Sequence, residues 1–140
     1  VDRVFEIIDA VLAKSEDFVF CLVGEPSERA LQYAQGYSQS EVILPGFVAR
    51  SKISRYYHIA DLLLHPSRRD GLPNVILEAI AAGVPVIASP IGEIENYVSN
   101  TPSSVDGFVE YILNGEWAPE PEPEWFDWEQ QANEYRQVLR

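Results

Sequence analysis

The chain has 140 residues, 46% hydrophobic and 23% charged, a balance that suits one compact domain and argues against disorder. Its formal charge of −12 argues against a nucleic-acid or anionic-membrane footprint, and no run approaches the roughly 18 consecutive apolar residues of a membrane-spanning helix. A single cysteine, Cys21, excludes an internal disulfide and a cysteine-rich zinc site and fits a reducing, cytoplasmic compartment.

Val1-Asp2-Arg3 lacks the layout of a signal peptide, and the absence of an initiating methionine leads to the expectation of a fragment of a longer protein. Half of the negative excess lies between Glu110 and Arg140, where eight acidic side chains face two arginines. The body is only mildly acidic, so an anionic small ligand can bind wherever backbone amides create local positive potential.

Val4, Ile7, Ile8, Val11 and Leu12 recur at helical spacing and predict an amphipathic helix over Asp2–Lys14. Phe18–Val23 (FVFCLV) is a continuous apolar run stopped by Gly24, the pattern of a parallel strand covered on both faces, with Cys21 as inert core. Pro26 and Ser27 open a helix through Gln35, closed by Gly36. Val42–Leu44 reads as a strand, Ser51 as the cap of a helix through Ile59, and Leu62–Leu64 as another strand. Pro73–Ala82 follows as a nearly all-round apolar helix ended by Gly83, and Val84–Ala88 (VPVIA) is the next buried strand. Strands joined by single helices of this length run parallel with right-handed crossovers, which predicts a doubly wound α/β sheet.

After Tyr97 the pattern loosens. Val105–Leu113 predicts a helix, and composition changes at Trp117. The division expected is an α/β domain over 1–116, a Pro/Glu linker over 117–124, and a helix over 125–140. APEPEPE, Ala118–Glu124, has prolines at alternate positions and predicts an extended, solvated linker. Trp125, Trp128, Ala132, Tyr135 and Leu139 align on one helical face that packs on this domain or on a missing one; helical spacing favours packing over a sugar platform for the tryptophans.

The chemistry concentrates in Leu64–Ala79, LHPSRRDGLPNVILEA, where a strand ends, a polar loop follows and a helix begins. In a doubly wound sheet ligands sit at the carboxyl ends of the strands. Gly71 lets backbone approach a ligand, Pro73 costs no hydrogen bond in a first turn, and the amides near Leu72, Asn74 and Val75 offer an anion site. Asp70 lies in that loop and Glu78 eight positions on, slanting back toward it, so that two carboxylates border one crevice. Glu78 sits among Val75, Ile76, Leu77, Ala79 and Ile80, where a carboxylate needs a partner or a use. Asp70 has two readings, a cap for the turn into Pro73 or a ligand contact. Arg68 and Arg69 read as solvated loop charges with one phosphate contact as the alternative, and His58 and His65 as satisfied structural histidines.

Asp70–Ala79 (DGLPNVILEA) followed by Ala81–Ser89 (AAGVPVIAS) resembles the signature of the GT-B-fold retaining glycosyltransferases of family 4, the glycosyl transferases group 1. LVG at Leu22–Gly24, GFV at Gly46–Val48, YYHIADLLLHPS at Tyr56–Ser67 and the late FDWEQQANEY lie in register with it. The resemblance implies a Rossmann-like half of a GT-B fold, the C-terminal domain that binds a nucleoside-diphosphate sugar. An absent N-terminal domain would hold the acceptor, whether glycan, lipid or small molecule, and would supply any attachment to a membrane surface.

The resemblance places two carboxylates on Asp70, toward the donor sugar, and Glu78, on the nucleotide ribose. It sets the loop around Ser67, Arg68, Gly71, Leu72, Pro73 and Asn74 against the diphosphate or sugar, Gly24 and Glu25 at the border of the site, and Phe47 and Val48 toward the base. No metal or other cofactor is implied. Asp70 stands where the family usually has glutamate, Glu93 replaces a glycine, and Asn96 replaces a common glutamate. The family's phosphate-binding basic pair falls upstream of Val1, and the usual strand after Val98 is missing. Those departures support an alternative, a non-catalytic GT-B-like scaffold or partner module, while fold alone also admits an epimerase or phosphorylase.

Overall fold

The structure, a computed structural model, describes residues 1–69 and 71–124. Its elements alternate as expected: α1 (Asp2–Leu12), β1 (Phe20–Val23), α2 (Glu28–Ala34), β2 (Val42–Gly46), α3 (Arg50–Ile59), β3 (Leu63–His65), α4 (Asn74–Ala81), β4 (Val86–Ala88), a 3-10 turn (Ile94–Asn96) and α5 (Val105–Asn114). The ladders are parallel. Phe20 pairs with Val42 and Cys21 with Ile43, whereas Leu63, Leu64 and His65 pair with Val86, Ile87 and Ala88.

Among the described residues these ladders form two two-stranded sheets, β1 with β2 and β3 with β4. The outer edge of β4 carries a further parallel bridge from Ile87 to Asn100. β2 bulges: Val23 pairs with Gly46, so Leu44 and Pro45 together stand opposite Leu22. Proline lacks an N–H for the ladder, and a bulge accommodates it.

Side chains alternate across a strand, so β4 shows how the layers stack. Val86 and Ala88 face Ile76, Ala79 and Ile80 of α4, with Tyr57 of α3 packed alongside. Ile87 faces Ile7 and Val11 of α1 and Phe108, Val109 and Ile112 of α5. Helices therefore cover both faces, which is the doubly wound arrangement. α1 spans the two pairs: Ile7 and Val11 cover Leu62 and Leu64, while Phe5 and Ile8 pack with Ala30, Val42 and Leu22. Phe20 lies under both clusters.

Capping fixes several boundaries. Ser27 Oγ accepts from the Ala30 N–H and Ser104 Oγ from the Gly107 N–H, closing the first turns of α2 and α5. Gly83, at φ +73°, ends α4, with the Val84 N–H bonded to Ala79 O. The expected cap at Ser51 is displaced: Ala49 occupies that position without a side-chain bond, and α3 begins at Arg50. Val84 is buried but donates to the end of α4 rather than extending β4.

Further expectations are corrected. The run FVFCLV is not covered on both faces, because Cys21 and Val23 are exposed while Phe20 and Leu22 turn inward. Burial still raises the Cys21 thiol pKa, but the residue is not core. The acidic linker is not simply solvated either, since Glu120 is buried and bonded to Ser99. Trp117 packs as expected, its Nε1 donating to Tyr111 O at 3.0 Å and its ring against Phe18. The expected helix over 125–140 lies outside the described residues.

Candidate functional site

Because the strands are parallel, the loops after β1, β2, β3 and β4 leave from carboxyl ends. The Gly24 N–H donates to Gly46 O at 3.0 Å, which sets the exits of β1 and β2 side by side. Gly24 (φ +128°) and Gly46 (φ +73°) both turn there with backbone that other residues rarely adopt. Glu25 is exposed beside one exit and Phe47, 77% exposed, beside the other; Val48 is half-buried. The structure thus brings together Gly24, Glu25, Phe47 and Val48.

The exits of β3 and β4 are joined likewise, Ser89 N–H to His65 O at 3.1 Å. After β3, Ser67 Oγ accepts from the Arg69 N–H and folds the loop back on itself at 3.3 Å, leaving Arg68 exposed. Pro73 proves to be the N-cap of α4, extended at φ −70° and ψ 141°, so the helix starts at Asn74 rather than at Pro73. The first-turn N–H groups of Asn74 and Val75 precede any intrahelical acceptor. Both residues are exposed, and a Cβ placed on Gly71 would meet nothing within 4 Å. Leu72 turns inward against the α4 core and anchors this turn. Asp70 lies outside the described residues.

Glu78 lies one turn into α4 beyond Asn74 and is half-buried. Its Oε2 accepts from the Tyr57 hydroxyl at 2.7 Å, tying α3 to α4. Sequence reasoning missed this contact. Tyr57 stands inside the segment YYHIADLLLHPS, but no local rule pairs residues 21 apart. It missed Arg3 as well, whose guanidinium donates to Ser89 Oγ and Ser103 O and lies over the Phe108 ring. That bond places the start of α1 at the exit of β4. His58 Nδ1 lies 2.6 Å from Ser54 O, as a structural histidine should.

Two surface cavities lie elsewhere. One of about 530 Å³ is lined by Lys14, Asp106, Val109, Glu110, Leu113 and Asn114, and one of about 380 Å³ lies around Asn100, Pro102 and Tyr111. Neither is lined by a residue named above as a candidate. Among the described residues no helix is long and apolar enough to cross a membrane, and no group of three His, Cys, Asp or Glu side chains is placed to hold a metal ion.

The family model for glycosyl transferases group 1 matches residues 1–115, and the chain belongs to that family. A 2-deoxystreptamine glucosyltransferase of Streptomyces kanamyceticus is 32% identical over 74% of this chain and 27% of its own length. The solved structure of WaaG, a glycosyltransferase involved in lipopolysaccharide biosynthesis, superposes with a TM-score of 0.67 at 25% identity, covering 81% of this chain and 33% of that one. HepE of Anabaena, solved in complex with UDP, gives 0.62 at 24% identity over 78% and 34%. The fold is the Rossmann-like half of a GT-B glycosyltransferase. The chain spans less than a third of the length of the curated relatives it matches.

Proposed function

We propose that this chain is the C-terminal, donor-binding half of a retaining glycosyltransferase of family 4. The whole protein transfers a sugar from a nucleoside-diphosphate donor to an acceptor hydroxyl held by a second, N-terminal domain. The observation that carries this reading is Glu78, a half-buried carboxylate held by Tyr57 beside the exposed first turn of α4.

A carboxylate suits a ribose because two adjacent hydroxyls can donate to its two oxygens, and charge-assisted bonds are the strong kind. The amides of Asn74 and Val75, with the backbone of Gly71 and Leu72, then face the diphosphate. Departure of a nucleoside diphosphate develops negative charge, which preorganised amides and a helix N-terminus stabilise more in the transition state than in the ground state. In this reading no metal is required. The loop exits at Gly24, Glu25, Phe47 and Val48 border the nucleotide, and Ser67 and Arg68 line the phosphate side. Asp70 contacts the donor sugar, its carboxylate about one bond shorter in reach than a glutamate, which alters sugar choice or rate. The relative HepE, solved with UDP, supports a nucleotide of this class.

The test is calorimetric titration of the chain with UDP, GDP and ADP and their sugar conjugates, with and without magnesium. Saturable, magnesium-independent binding of one nucleotide series is expected. Binding that requires magnesium, or no binding once the upstream and N-terminal segments are restored, contradicts the reading.

A further inference from the structure

We propose that Tyr57 is a positioning residue that orients the Glu78 carboxylate and thereby sets the site's selection for an intact ribose diol. This rests on the reading of Glu78 as the ribose contact.

A half-buried glutamate whose carboxylate still reaches solvent samples more than one rotamer and loses that freedom when it binds a ligand. Tyr57 removes much of that loss beforehand. Its hydroxyl donates to Glu78 Oε2 at 2.7 Å, a short, charge-assisted bond. Val75 O lies 3.5 Å from the same hydroxyl, at the limit of a hydrogen bond, so the carboxylate is the better placed of these two acceptors. The tyrosine is itself held. Its ring packs against the cluster of Ile76, Ala79, Ile80, Val86 and Ala88, and with two side-chain torsions it has little freedom left.

The bond joins α3 to the second turn of α4. With Oε2 held, the rotation of the carboxylate is restricted and fewer directions remain open to Oε1. A pair of vicinal hydroxyls needs that orientation, because two parallel donors must meet two coplanar acceptor oxygens. A single hydroxyl can follow a rotating carboxylate and needs it far less. Tyr57 therefore acts on selectivity through Glu78.

The experiment compares wild type, Tyr57→Phe, Glu78→Gln and the double variant. Each is titrated with whichever of UDP, GDP and ADP the chain binds best and with its 2′-deoxy counterpart, and thermal melts confirm that each variant is folded. Wild type is expected to prefer the ribonucleotide. Tyr57→Phe, which keeps the packed ring, is expected to weaken ribonucleotide binding about tenfold and leave the deoxy compound nearly unchanged. In the double variant the Tyr57→Phe effect should vanish, because there is no carboxylate to orient.

An unchanged ribo-to-deoxy ratio in Tyr57→Phe, in a chain that still binds the nucleotide, overturns the role of Tyr57 alone. Equal weakening of both compounds does the same, since that is the signature of general loosening. Failure of the folded wild type to bind any of the three nucleotides, with the upstream and N-terminal segments restored, overturns the donor-site reading and this inference with it.

Discussion

Glu120 accepts two hydrogen bonds from Ser99, at 2.7 Å from the backbone N–H and 2.8 Å from the hydroxyl. It is only 9% exposed although it lies in a run of alternating prolines and glutamates. The neighbouring Asn100 donates to the Tyr111 hydroxyl at 3.0 Å, and burial followed by the charge of Glu120 raises the pKa of that phenol. The prolines stiffen the segment, and Glu120 anchors it to the turn at Ser99.

Removing this anchor strands the Ser99 amide. Glu120→Ala is expected to cost about 1 to 3 kcal/mol of unfolding free energy, the range for leaving a buried polar group without its partner. Glu116→Ala, at an exposed position in the same segment, should stay within about 0.5 kcal/mol of wild type. Urea denaturation of the two variants checks the contrast.

Tyr37 gives the fold an alkaline limit. Its hydroxyl donates to Asp9 Oδ1, and burial first, then that hydrogen bond, push its pKa well above the ordinary tyrosine value. The folded state thus holds the phenolic proton more tightly than the unfolded chain, whose tyrosine titrates near about 10. This contribution is complete below that pH and is lost as pH rises through the folded pKa. Stability should fall progressively as pH rises above about 10, and Tyr37→Phe should fall less steeply. Urea midpoints across that range decide it.

Ile87 is fully buried on the α1 and α5 side of β4, whereas Ile43 on β2 is 43% exposed. Truncating a buried isoleucine leaves a cavity as well as losing its transfer energy, so Ile87→Ala is expected to cost about 2 to 5 kcal/mol. Ile43→Ala should cost much less. Equal losses from the two changes, read by chemical denaturation, would show that the outer face of β2 is covered in solution.

Periodicity made the alternation of helices and strands legible, because each βα unit needs only its own apolar stripe and a breaker such as Gly24 or Gly83. The turn at Leu72–Asn74 was legible for the same reason: proline and glycine act through local backbone rules. How many layers cover a strand is not a local property. FVFCLV reads as doubly covered, yet Cys21 is exposed, and among the described residues the helices pack on the Phe20 and Leu22 side. Contacts between distant residues were the least visible. Nothing in PEPEPE says which glutamate docks on Ser99, and nothing in YYHIADLLLHPS says which tyrosine meets Glu78. Those pairings follow from where α3, α4 and the 97–101 segment come to rest on the sheet.

The central claim is that Glu78 is the nucleotide contact of a donor site, and the most direct measurement is calorimetric titration of Glu78→Ala with the nucleoside diphosphate that wild type binds, beside Glu116→Ala. Loss of binding in Glu78→Ala, with the melting temperature retained and Glu116→Ala binding as wild type does, is the predicted result. Equal affinity in wild type and Glu78→Ala would contradict it.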